Sequence, residues 1–169
     1  IRDKFRDTIL LESSDSKNVD NNFSFIAVNA IAGIEIKNLN EFEIKLPNQN
    51  PEKKSLENIN VPELLNDFSK TFECERTHDK IEKTAQSLFG YTSFEAVQFF
   101  EDVNFKPQSK EVEIPILRYR LYQYVIAINH FNDEMHLIEN QIDGVKSEFR
   151  TLEDLIKNKN AVVYPFEKT

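Results

Sequence analysis

Leu10-Leu11-Glu12-Ser13, followed after a polar connection by Phe23-Ser24-Phe25-Ile26-Ala27-Val28, is the stretch that decides how this chain folds. An apolar pair runs straight into a carboxylate and a hydroxyl, and a second apolar segment rich in aromatic and branched residues begins soon after. Short segments of that composition, bounded by Asn, Asp and Ser, read as strands. The pattern predicts a strand that ends at a pocket, with Glu12 offering an acceptor and Ser13 a donor. From spacing alone the same residues better suit a strand end that caps a turn.

Outward from that stretch, residues 8–12, 23–28, 31–37 and 41–46 form a meander of short strands with Asn-rich turns. In the last of them Phe42, Ile44 and Leu46 alternate with charged residues, as a half-buried strand requires. Residues 47–60 are polar and read as an exposed loop. Val61, Leu64, Leu65, Phe68 and Phe72 then recur at helical spacing, with Pro62 where a first-turn proline is tolerated. Ile81, Ala85, Leu88 and Phe89 define a second helix that Gly90 ends. Thr92 with Glu95 marks the start of a third, carrying Phe94, Val97 and Phe100. The adjacent Phe99 and Phe100 point about 100° apart on a helix, so one of them leaves the apolar stripe. Strands return at 118–131 and 135–140, joined at Asn132-Asp133 as a hairpin. Thr151 with Asp154 opens a short final helix. Strands, helices, then strands predict an α+β fold, mainly antiparallel sheet with a central group of helices.

The bulk properties narrow the function. A chain of 169 residues with 40% apolar and 30% charged residues is a globular domain with a substantial core. Apolar runs such as 125–128 fall far short of the roughly 20 residues a membrane span needs, so no membrane association is expected. No secretory signal is visible, and the single Cys74 excludes an internal disulfide and fits a reducing cytoplasm. A net charge of −8 argues against nucleic acid, which requires clustered cations. Arg118 and Arg120 share a strand face that is expected to be solvated.

No catalytic constellation assembles. His78, His130 and His136 have no metal-ligand spacing. Pairing across Asn132-Asp133 would bring His130 and His136 near one another, without a third ligand. Cys74 lies between Glu73 and Glu75, whose charges disfavour a thiolate. Gly33, Gly90 and Gly144 are isolated, whereas a phosphate cradle needs several glycines close together.

Four segments in order resemble anthranilate synthase component I, the chorismate-utilising enzyme of tryptophan biosynthesis. They are Leu10 to Ser13 (LLES), Phe23 to Val28 (similar to YSFIG, with Ala27 and Val28 where glycine is expected), Gly90 to Glu101 (similar to GYxxYDxVxxFE, with Phe94 and Glu95 for tyrosine and aspartate) and Tyr124 to Glu139. In the last, Ile128-Asn129-His130-Phe131 stands where the family has a Phe-Asp-His strand end.

The resemblance implies that residues 1–169 are a single amino-terminal domain fragment whose carboxy-terminal, chorismate-binding catalytic domain is absent. The parent enzyme would be a lyase converting chorismate and ammonia or glutamine to anthranilate and pyruvate. The fragment alone would be inactive and hold no cofactor, with Mg²⁺ expected in the missing catalytic domain. Its role would be tryptophan feedback, with L-tryptophan bound at Leu11, Glu12, Ser13 and Phe23. The other partners implied are the missing domain in cis and a glutamine amidotransferase subunit. Two alternatives stay open: the same domain of aminodeoxychorismate synthase component I in the folate pathway, and a non-catalytic protein-interaction module.

Overall fold

The computed structural model describes residues 4–5, 7–12, 22–105 and 114–158. Its frame is one antiparallel ladder between two long strands, β2 (Phe23–Ile36) and β6 (Leu117–Asn129), paired from Phe23 opposite Asn129 to Ile36 opposite Leu117. Strand β1 (Ile9–Glu12) pairs with the start of β2, and β7 (Glu134–Glu139) with the end of β6. Beyond the midpoint, β3 (Glu41–Lys45) and β4 (Glu52–Ser55) extend the sheet on the β2 side, and β5 (Phe89–Thr92) on the β6 side. One end of the sheet therefore reads β1-β2-β6-β7 and the other β4-β3-β2-β6-β5. The fold is α+β, with seven antiparallel strands and few helices among the described residues.

The 23–28 and 31–37 segments are not separate strands. Asn29, at φ 62°, takes the left-handed conformation that Asn tolerates, and the register slips between Ala30 and Ala32. A bulge thus replaces the expected turn. It also breaks side-chain alternation: Ala27 and Ala30, three residues apart, join one apolar cluster, as do Val125 and Tyr122 on the partner strand. The Asn29 amide donates to Gln123 Oε1 at 2.7 Å, and buried Gln123 donates to the Lys146 carbonyl at 3.0 Å and to Glu139 at 3.2 Å. Among the described residues no buried side-chain nitrogen or oxygen lacks a hydrogen-bond partner, which is the condition for burying these amides at all.

Three apolar clusters follow. Past the bulge, Ala32, Ile34, Ile36, Leu117 and Leu121 pack beneath helix α1 (Val61–Lys70) through Val61 and Phe68. Asn60 caps that helix by accepting the Glu63 N–H at 3.0 Å. Before the bulge, one face meets α2 (Lys80–Ala85) through Ala85, while α3 (Phe149–Lys157) covers the other, with Leu152 against Val28 and Tyr124.

Other sequence expectations shift for identifiable reasons. The 47–60 segment contains β4, whose four residues are all exposed and so carry no apolar signal; pairing with β3 alone makes it a strand. The second helix ends at Ala85, and Phe89 and Gly90 belong to β5, opposite Arg120 and Tyr119. Any Cβ on Gly90 would run into the Arg118 carbonyl, so the glycine serves close strand approach rather than helix termination. The third helix is a 3₁₀ segment, Phe94–Phe99, in which Phe94 is 81% exposed and Phe99 rather than Phe100 packs inward. The last helix begins at Phe149 without a side-chain cap.

On the face opposite α1, Glu35 is 2% exposed and accepts from Arg118 Nε and Arg120 Nη2, each at 2.7 Å, with Lys37 at 3.6 Å. The two arginines do not form a merely solvated face; they enclose a carboxylate. Burial alone would raise its pKa, but the Arg118 hydrogen bond and the charges of Arg118, Arg120 and Lys37 outweigh burial and hold it below its ordinary 4.5. The stability this group contributes is complete above that ordinary value and is lost as pH falls through the lower folded value. Glu35→Gln is expected to cost about 2 kcal/mol in urea unfolding at pH 7, the scale of hydrogen bonds to charged groups. The gap to the parent chain should narrow as pH falls below the ordinary 4.5 and through the lower folded value.

Candidate functional site

Strand register decides what stands together at the β1-β2-β6-β7 end. Directly opposed residues share a face, and successive residues alternate. Glu12 opposes Ser24, which opposes Ile128, which opposes Met135, so these four form one row on one face. The next row inward on that face is Leu10, Ile26, Ile126 and Leu137. Helix α3 packs against Ile26 and Leu137 through Phe149, Leu155 and Ile156, while Leu10 and Met135 remain 55% and 52% exposed. Among the described residues the outer row is exposed at its two ends, Glu12 and Met135, with Ser24 buried and Ile128 half-buried between them.

His130 completes the row's polar border. Its backbone N–H donates to the Asn22 carbonyl at 3.0 Å, prolonging the β2–β6 ladder by one bond. Its ring Nε2 is hydrogen-bonded to Ser24 Oγ at 2.7 Å. Ser24 is 4% exposed and the imidazole is exposed, so a buried hydroxyl holds a solvent-facing ring in one orientation.

The four sequence-predicted site residues are only partly gathered. Glu12 stands in this row. Leu11, opposite Phe25, points to the other face, as does Phe23, whose ring stacks on Phe25 with centroids 5.9 Å apart. There they continue an aromatic series through Phe89 and Tyr122. Among the described residues β1 pairs only with β2, so its free edge is where Leu11 and Glu12 are both within reach. Ser13 lies outside the described residues. His136, opposite Ala127, is on the face away from His130, so the hairpin does not bring the two histidines together. Sequence reasoning passed over Ser24 and His130 as site residues. The alternation of 23–28 puts Ser24 at a buried position, which was the available signal, but its partner 106 residues away was not legible.

A cleft of about 950 Å³ lies elsewhere, between the end of β3, the segment after α1 and the 139–147 segment. Glu73, Glu75, Glu139 and Asp143 line it, with exposed Cys74 beside them, and among the described residues no Lys or Arg does. Among the described residues no group of three His, Cys, Asp or Glu is placed to hold a metal ion, and no helix is long and apolar enough to cross a membrane.

No protein-family model and no curated protein matches the chain. Among solved structures, it is similar to anthranilate synthase component I from Streptococcus pneumoniae TIGR4 over 90% of its length, with a TM-score of 0.59 and 13% identity. The fold is that of anthranilate synthase component I. The likeness takes in 32% of that protein, so this chain spans about a third of its length. At such identity the fold is shared without any residue's role being carried across.

Ser24→Ala removes the hydroxyl that fixes His130. Loss of one part-buried hydrogen bond is expected to cost about 1 kcal/mol. In ¹⁵N-edited NMR the His130 ring resonances should move to those of an unconstrained imidazole while His78 is unchanged. An unmoved His130 signal would show that Ser24 does not orient it.

Proposed function

We propose that this chain is the amino-terminal, tryptophan-sensing part of an anthranilate synthase component I. The observation that carries the reading is the fold likeness, which takes in nearly all of this chain and only a third of the similar protein. The remainder of such a protein would bind chorismate and Mg²⁺ and carry out the lyase chemistry: chorismate and ammonia to anthranilate, pyruvate and water. A glutamine amidotransferase subunit would supply the ammonia, in the cytoplasm. The present chain would hold no cofactor and be inactive alone.

In this reading L-tryptophan binds at the free end of β1. Glu12 offers the charge an α-ammonium requires, Ser13 beside it a hydroxyl, Leu11 an apolar border on the strand's other face, and Phe23 the tip of the neighbouring strand. The remaining walls would come from the catalytic domain in cis. Feedback is then a coupling free energy between this site and the active site, and it acts reciprocally on the two ligands.

The interaction-module alternative has one observation in its favour. Phe94, Phe100, Phe105 and Ile114 are exposed, and the Phe94 and Phe105 rings lie 5.6 Å apart as an exposed aromatic pair.

Assay of the full-length protein with chorismate, Mg²⁺ and ammonia, with and without tryptophan, separates these readings. Fluorescent anthranilate suppressed by tryptophan is the expected result. Chorismate consumed without anthranilate would indicate the aminodeoxychorismate relative, and no turnover would favour the module. Ser13→Ala should raise the tryptophan concentration for half-inhibition by roughly tenfold, the scale of one good hydrogen bond to a charged ligand.

A further inference from the structure

The Glu12 row carries more than the sequence resemblance assigns to it. A free α-amino acid presents an ammonium and a carboxylate on one carbon, so a site that selects it needs an anionic group and a hydrogen-bond donor at matched spacing. Glu12 lies on β1, on one side of Ser24, and His130 continues β6 on the other side. Their strands are two spacings apart and His130, opposite Asn22, stands two residues further along than Glu12, so about 12 Å separates the two backbones. Two side chains inclined toward each other over Ser24 bring that gap to the size of an amino-acid head group. Between and beside them lie Ile128, Leu10 and Met135, an apolar floor on which a large side chain can rest. The thioether of Met135 suits an aromatic ring.

We infer that His130, held by Ser24, takes the carboxylate of the bound amino acid while Glu12 takes its ammonium. This rests on the proposed tryptophan-sensing role and adds to it a residue outside the LLES segment. Ser24 is a positioning residue: its buried hydroxyl occupies ring Nε2, so Nδ1 is the ring nitrogen left for a ligand. His130 is tied to the sheet by its own backbone bond to Asn22, so its donor is fixed before the ligand arrives. Such preorganisation lowers the ordering cost of binding.

The test uses the full-length protein and three ligands measured by titration calorimetry: L-tryptophan, tryptamine, which lacks the carboxylate, and indole-3-propionate, which lacks the ammonium. His130→Ala is expected to weaken tryptophan binding by about tenfold or more, the scale of a hydrogen bond to a charged group, with tryptamine changed less than about twofold. Glu12→Gln should weaken tryptophan and tryptamine and spare indole-3-propionate. His130→Gln, which keeps a donor and guards against loss of fold, should retain most of the tryptophan affinity. Parent-like tryptophan binding by His130→Ala, or equal losses for tryptophan and tryptamine, would overturn the assignment while leaving the sensing role intact. A parent protein that binds no tryptophan would overturn both.

Discussion

The β2–β6 ladder is the constraint on which the rest of this structure depends. Two strands of 14 and 13 residues pair along nearly their whole length, and every other strand joins one of them directly or, for β4, through β3. A flat ladder of that length would present one continuous face to a single core. The bulge at Asn29, opposite Gln123, breaks the alternation and splits the sheet into two ends with separate apolar clusters. Buried amides are costly unless satisfied, and here Asn29, Gln123, Glu139 and the Lys146 carbonyl satisfy one another. The irregularity is held in place by the same hydrogen bonds that it demands.

The two ends are finished in opposite ways. At the β3–β5 end, the face away from α1 is closed by its own charges: Glu35 draws Arg118 and Arg120 inward, and Arg120 lies across Gly33, where any Cβ would collide with it. Those side chains are committed to one another. At the β1–β7 end, α3 covers the inner apolar row and stops, leaving Glu12, His130, Leu10 and Met135 at the margin. An open margin with an acid, an oriented imidazole and apolar ground is suited to a ligand, and a ligand there would touch the strands that the central ladder fixes.

Much of the architecture was readable from residue order. The period-two pattern of 41–46 and the helical stripe through Val61, Leu64, Leu65 and Phe68 both mark buried faces, and those elements form as expected. Elements without an apolar face were not readable. β4 has four exposed residues and exists only because β3 offers it hydrogen bonds, and Gly90 resembles a helix stop until Arg118 is known to lie behind it. The candidate site divides along the same line. Glu12 is marked by a charge directly after an apolar pair, whereas Ser24 and His130 are unremarkable apart and become a unit only when β2 and β6 pair.

The sequence by itself determined the α+β class, the antiparallel habit and the main apolar faces, because each rests on local spacing and side-chain chemistry. It also carried, in four short segments, a resemblance with which the shared fold agrees. Only the tertiary structure decided the continuous β2, the enclosure of Glu35, and the placing of Leu11 and Glu12 on opposite faces with His130 on the face of the latter. Those outcomes depend on register between strands about a hundred residues apart, where a shift of one position exchanges the two faces.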